Sequence, residues 1–410
     1  MTSASPGISS PNAVPLRQDA RTIGLVGLAH GSSHFFHMLL PPLFPWLIAE
    51  FGFSYSELGL LVSVFFVISG VGQALSGFLV DRIGARPIMF FALSSFAAAG
   101  LVAGTAQGYV GLVVAAALAG LGNAPFHPVD FTILNQRVSA PRLGYAFSAH
   151  GLSGNLGWAL APVFFASLGA VIGWRQTYLA AALLFVVVIG VLASQRQHLH
   201  TTVARKVAPV AGGPKAEHDM AFMKLPVVWW CFGFFLLSTM TLAVVQSYAV
   251  SILKAMHGVS FEAATYTISS YMLFGAVGMF IGGFVAAKSK HSDRVVAMAM
   301  AAGAVLLALC GTGWLGATGT MVVLAITGFA VGIGGPSRDM MIKKATPKGA
   351  TGRVYGLVYS GLDTGFAISP LVFGVFMDRG WYGATLLGAA LVLLLSVGAA
   401  LGVGRRTSVP

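Results

Sequence analysis

Charge is what this chain has least of. Asp, Glu, Lys and Arg make up 9% of its 410 residues, and only 12 of these are acids. About a quarter of the residues of a soluble domain are charged, so a water-soluble globular protein is excluded. Cysteine is almost as scarce. Cys231 and Cys310 alone allow neither a disulfide framework nor a cysteine metal cage, and both read as small apolar packing residues. Catalytic signatures are missing too: no Gly-Lys-Ser/Thr phosphate loop, no Gly-x-Ser-x-Gly elbow and no His-Glu-x-x-His helix. An enzyme and a pump driven directly by ATP are thereby disfavoured, and neither a cofactor nor a resident metal is expected. Residues 1-20, rich in Ser, Pro and Ala, lack the basic start and cleavable apolar core of a secretory signal and read as a disordered tail.

What is present is apolar. Hydrophobic residues are 56% of the chain and the mean hydropathy is +0.82. A bilayer-spanning helix needs about 20 apolar residues, and such runs follow one another with short polar interruptions. They fall at roughly 23-49, 55-80, 87-106, 109-135, 143-170, 174-194, 225-251, 262-288, 293-313, 319-344, 352-378 and 382-403. The expected fold class is therefore an all-α membrane protein with twelve transmembrane helices.

The net charge of +12 is informative through its placement. Arg175, Lys254 and Arg379 lie on one side of the spans and Arg338 inside one, leaving 20 of the 24 Lys and Arg to the tails and alternate connections. Cytoplasmic loops retain Lys and Arg, so both termini are expected in the cytoplasm and the protein in the cytoplasmic (inner) membrane. The basic balance thus reports orientation and no nucleic-acid partner. The longest polar connection, 195-224, separates six spans from six. It carries His198, His200 and His218 among basic, Gly and Pro residues and reads as a flexible cytoplasmic linker. The domains expected are a tail at 1-20, a bundle at 21-194, the linker, a second bundle at 225-404 and a tail at 405-410.

The two bundles look like copies. Pro128, Gly144, Gly157, Ala159 and Pro162 are repeated 208 positions later as Pro336, Gly352, Gly365, Ala367 and Pro370, with Asn155 falling on Asp363. Internal duplication of membrane bundles is the plan of many secondary transporters.

After the second span the chain reads Ser76-Gly77-Phe78-Leu79-Val80-Asp81-Arg82-Ile83-Gly84-Ala85-Arg86-Pro87. This resembles the Gly-x-Leu-x-Asp-Arg-x-Gly-x-Arg signature of the major facilitator superfamily. A degenerate copy, with Ala287 and Lys288 in place of the acid and arginine, follows the eighth span. The resemblance implies two pseudo-symmetric six-helix bundles, a monomer, and a conformational latch at Gly77, Asp81, Arg82, Gly84 and Arg86. Within the superfamily the chain is most similar to the fosmidomycin-resistance group of exporters, through His34, His37, Pro42 and Pro45, the triplet Phe126-His127-Pro128, and Gly154-Asn155 with Gly157, Ala161 and Pro162.

Ionisable groups at bilayer depth cost about 2.5 to 3.5 kcal/mol or more and mark pathways. His30, His34 and His37 are spaced to share one helical face, suited to taking up protons or meeting an anionic substrate. His127 and Asp130 also share a face, with Asn123 one turn earlier. Arg338 and Asp339 are candidates to pair with Asp130 across the bundles, or Arg338 to bind a carboxylate or phosphonate. His150 and Asn155 belong to the fifth span. Asp363, the deepest acid, is the expected coupling carboxylate. Gln246, Ser247, Tyr248 and Tyr271 are candidate hydrogen-bonding groups for a ligand, and Trp158 is a candidate to flank the cavity.

The function expected is secondary active transport of a small organic solute by alternating access, coupled to protons and directed outward. The competing readings are an uptake carrier for a small organic anion and a copper importer using His34, His37, Met38, Met240, Met256, His257 and Met272.

Overall fold

The computed structural model describes residues 15–202, 221–345 and 351–407, and among them the only regular secondary structure is helical. The N-terminal half holds α1 (Leu16–His37), α2 (Phe44–Phe51), α3 (Tyr55–Ile83), α4 (Ala85–Thr105), α5 (Tyr109–Asn123), α6 (Phe126–Arg137), α7 (Leu143–Ile172) and α8 (Trp174–Ser194). The C-terminal half holds α9 (Pro226–His257), α10 (Phe261–Lys288), α11 (Ser292–Gly311), α12 (Gly316–Ala345), α13 (Thr351–Asp378) and α14 (Tyr382–Thr407).

Eleven spans, counting α5 with α6 as one, are long and apolar enough to cross a membrane. The twelfth is α1 with α2, whose apolar character is diluted by Arg17, Asp19, Arg21 and three histidines. Two of the expected continuous spans are broken, both by proline. Pro41, Pro42 and Pro45 remove the amides that His37, Met38 and Pro41 carbonyls would need, so α1 stops and a short 3-10 turn (Pro41–Leu43) leads into α2. Pro125 and Pro128 divide α5 from α6 in the same way, and the Ala124 carbonyl freed by Pro128 lies 3.5 Å from the Ser76 hydroxyl. Proline at later positions is absorbed. Pro162 is the twentieth residue of α7 and Pro370 the twentieth of α13, as the duplication requires.

Three expected boundaries move. Helix α1 begins at Leu16, inside the supposed tail, because Asp19 is fully buried and accepts bonds from Ser139 N–H (3.3 Å), Ser139 Oγ (2.5 Å) and Arg142 (2.7 Å). Residues 1–14 lie outside the described residues. At the other end α14 runs on to Thr407, with Arg406 over the Trp230 ring. The start of the linker is docked: Leu199 is buried, and the Thr201 hydroxyl accepts the Ala85 N–H at 2.9 Å. Burial and the neighbouring Arg21 and Arg137 guanidinium groups hold His198 below the ordinary imidazole range. The rest of the linker, 203–220, is outside the described residues.

The start of α1 at Leu16 and the end of α14 at Thr407 lie on one face of the bundle; the opposite face is the far end. The halves meet through α3 against α13 and α7 against α10. At the far end, the Tyr55 and Ser56 amides, at the start of α3, donate to the Asp378 carboxylate at 2.6 and 3.1 Å, and the Ser56 hydroxyl donates to it as well. The packing there is close. A Cβ at Gly59 would sit 2.6 Å from both the Pro370 carbonyl and the Tyr248 hydroxyl. Tyr248 itself donates to that carbonyl at 2.6 Å, and Phe44 and Trp46 pack on Tyr248 and Phe261. Small residues at such crossings let backbones approach where no hydrophobic effect drives helices together. One apolar core runs from the N-terminal half into the far-end portion of the C-terminal half. A second core, around Cys231, Phe234, Val296, Ile342 and Leu393, belongs to the C-terminal half alone.

Candidate functional site

The site begins with the periodicity of α1. His30, His34 and His37 do share a face, and it looks towards α6 and α7. Room for them comes from Gly154: a Cβ there would lie 2.8 Å from His34 Nδ1 and 3.0 Å from His30 Nε2. Their rings form a ladder, His30 to His34 at 4.4 Å and His34 to His37 at 4.9 Å between centroids, and Trp158 of α7 lies 4.3 Å from His34.

At the deep end of the ladder sits Asp130, fully buried. His150 Nε2 is hydrogen-bonded to its Oδ2 at 3.0 Å, and His30 Nδ1 lies 3.0 Å from the same oxygen. The His30 and His150 rings stack at 3.5 Å with 25° between planes. A carboxylate buried as a bare anion costs several kcal/mol. The His30 and His150 imidazoles are the polar groups that stand beside it.

At the other end, polar bonds fix His37. Its Nε2 is 2.6 Å from Asn123 Oδ1, which also accepts the Ser33 hydroxyl at 2.8 Å, and Asn123 donates to Ser69 at 2.7 Å. Trp158 Nε1–H donates to His37 Nδ1 at 3.3 Å. An acceptor role for Nδ1 and an acceptor oxygen opposite Nε2 assign the neutral Nε2–H tautomer to His37.

A third arm crosses between the halves. His127 Nδ1 is 2.9 Å from Gln73 Oε1, and Gln73 Nε2 donates to Asp363 Oδ2 at 3.2 Å. Gln73 thus joins the histidines of one half to the acid of the other. Asp363 is buried at a close crossing, where a Cβ on Gly70 would stand 3.1 Å from its own Cβ.

The structure brings together seven of the expected residues, His30, His34, His37, Asn123, His127, Asp130 and His150, and ties Asp363 to them. It separates others. Arg338 does not pair with Asp130: its Nε bonds Asp339 at 3.0 Å and its guanidinium lies over Phe235 at 5.0 Å, while Asp130 is taken by histidines. Asn155 bonds its own helix and Met279 of α10 at 3.2 Å, so it sits at the junction of the halves. Gln246, Ser247, Tyr248 and Tyr271 are buried in packing; Gln246 Nε2 is 3.9 Å from the Met272 sulfur. Of the methionine and histidine set considered for copper, His34 and His37 are adjacent at 4.9 Å, and His257 bonds Thr320 at 3.1 Å. At the expected latch, Gly84 adopts φ +86° between α3 and α4 and Arg82 is exposed; the side chain of Asp81 lies outside the described residues. Gln73, Ser33 and Ser69 were not anticipated. Gln73 is the one amide in an otherwise apolar stretch of the second span, and the depth rule applied to Asp363 would have found it.

Two half-bundles with titratable groups at their junction are a transporter's architecture, and comparison with known proteins decides the family. The family model described as Major Facilitator Superfamily matches residues 26–335. The chain belongs to this superfamily. As a member of the Major Facilitator Superfamily it is a multi-pass membrane transporter of small solutes and not an enzyme. It is 27% identical to the fosmidomycin resistance protein of Escherichia coli (strain K12) over 377 residues, 89% of this chain and 85% of that one. With the probable L-galactonate transporter of the same organism it shares 23% identity over 246 residues, 58% of this chain and 54% of the relative's length. The fold is similar to that of a solved nucleoside transporter, with a TM-score of 0.75 at 14% identity, over 93% of this chain and 99% of that one.

Proposed function

We propose that the protein is a proton-coupled secondary transporter that moves a small organic solute outward by alternating access, in the cytoplasmic membrane with both termini inside. The observation that carries the coupling is the arm from His127 through Gln73 to Asp363. It links a buried histidine–aspartate store in one half to a lone buried carboxylate in the other, at the surface where the halves must slide. A change of proton occupancy at Asp363 alters its bond to Gln73, and so the affinity of one half for the other. The far end is held closed by Asp378 on α3 and by Gly59 against Pro370, which supports exchange of solute at the opposite face in this conformation. Outward direction rests on likeness to the fosmidomycin resistance protein over most of both chains.

The test is flux in proteoliposomes, with a panel of labelled drug-like amphiphiles and organic anions and a pH gradient imposed in either sense. Gradient-driven flux of one class, abolished in Asp363→Asn while exchange without a gradient persists, is the expected result. Flux indifferent to the gradient sinks the coupling. A second reading, uptake of a small organic anion, is favoured by one feature: among the described residues Asp339 engages Arg338 through Nε, one of that side chain's five donors. Accumulation of an anion against its gradient, lost in Arg338→Gln, would select it.

A further inference from the structure

We propose that His30, Asp130 and His150 bind one divalent transition-metal ion of the zinc class within the N-terminal half. The three side chains come from α1, α6 and α7, all are buried, and one atom from each lies within 4.8 Å of the others. Asp130 Oδ2 stands 3.0 Å from His30 Nδ1 and 3.0 Å from His150 Nε2. Ligand atoms on a tetrahedral zinc ion are roughly 3.3 Å apart, given bonds of about 2.0 to 2.2 Å. The two distances to Asp130 are thus within a few tenths of an ångström of that spacing, and the two imidazole nitrogens lie within 4.8 Å of each other. Two imidazoles and a carboxylate are a borderline donor set suited to zinc, cobalt or nickel, and three protein ligands leave a fourth position for water.

Hydrogen bonding alone accounts for this group incompletely. A histidine–aspartate–histidine network would aim both imidazole N–H groups at the carboxylate, and only His150 does so. His30 Nδ1 lies close to Asp130 but off the bonding direction, and it is buried without a hydrogen-bond partner. Asp130 Oδ1 and His34 Nδ1 are likewise buried and unpartnered. Three unsatisfied atoms in one cluster would each cost about 1 to 3 kcal/mol, whereas a cation bound between Asp130 Oδ2 and His30 Nδ1 gives the unpartnered imidazole nitrogen a partner where it stands. His34 and His127, with His30, form a second group within 4.8 Å, and both are half-buried where His30 and Asp130 are fully enclosed. The site is independent of cargo and direction.

The experiment uses the full-length protein without an affinity tag, stripped with chelator and titrated with Zn²⁺ and with Co²⁺. Elemental analysis should return one equivalent of zinc, and cobalt should show the visible bands of four-coordinate binding. Single changes His30→Ala, His150→Ala and Asp130→Asn should each weaken binding at least about tenfold, as loss of a ligand or its support does elsewhere. Replacing His198, His200 and His218 together by Ala should leave it unchanged. Since the buried changes can impair folding, X-ray absorption on the unaltered zinc-loaded protein gives a second readout, expected to show two or more imidazole ligands. No stoichiometric zinc, a zinc shell without imidazole, or binding abolished by the linker variant would each overturn the proposal.

Discussion

The two halves share a plan and differ in what they turn towards each other. Residues His127, Asp130 and His150 of the first fall, 208 positions on, at Gly335, Arg338 and Val358 of the second, while Asn155 falls on Asp363. The helix kinks survive in register, with Pro162 and Pro370 at the same depth in α7 and α13. Duplication thus kept the backbone and let the ionisable lining diverge. One half carries a wall of five histidines and an aspartate; the other sets Asp363 against it through Gln73. The lesson is that symmetry of fold does not require symmetry of chemistry.

That difference can be broken most severely by moving the acid. Asp363→Asn should reduce gradient-driven flux by roughly two orders of magnitude, about 2.7 kcal/mol. Adding Asn155→Asp in that background returns a carboxylate to the equivalent depth of the other half. If flux recovers, depth alone matters; continued failure shows that the bond to Gln73 is required, which is the outcome expected here.

The halves can also be forced apart where they are closest. Gly59→Ala puts a methyl 2.6 Å from two oxygens of the opposite half, a cost of about 2 kcal/mol. A spin-label pair at Gln107→Cys and Arg379→Cys, both exposed at the far end, should report a longer mean distance in that variant. An unchanged distance with an unchanged melting temperature would contradict the packing described. Asp378→Ala removes the carboxylate that the second half lends to the start of α3, a loss of about 1 kcal/mol on the scale of helix caps. The same label pair should register a smaller lengthening.

The least effect is expected where each half secures its own far end. In the N-terminal half Glu50 pairs with Arg175 at 2.5 Å, and Trp174 donates to it at 2.6 Å. In the C-terminal half Arg379 and Lys254 instead lie over Trp381 and Phe261. Glu50→Gln should lower stability by about 0.5 kcal/mol, because the pair is partly exposed, a change visible in thermal melting and absent from flux.

Much of this fold was legible in composition. Spans were marked by unbroken apolar runs, the halves by the basic linker, and the histidine face of α1 by its spacing. The interruptions at 38–43 and 124–125 were less so, since hydropathy stays high across a proline break and only the missing amides betray it. Likewise Leu16 to Ala20 read as tail because its polarity is local, whereas its helical state depends on Ser139 and Arg142 more than a hundred residues away. The pairing of His150 with Asp130 is long-range in the same sense: each residue was a candidate, but which of several cations and histidines would claim the acid was decided by packing. Gln73 went unnoticed because it carries no charge, although in hydrocarbon an amide also needs a partner.

The carboxylate of Asp378 closes the first turn of a helix that belongs to the other half. Were the halves to part there, the Tyr55 and Ser56 amides of a 29-residue helix would lose the acceptor that the other half supplies. The far end is thus fastened by a bond in which one half completes the other's helix, and Ser54 with Glu57 is the cap that α3 keeps for itself.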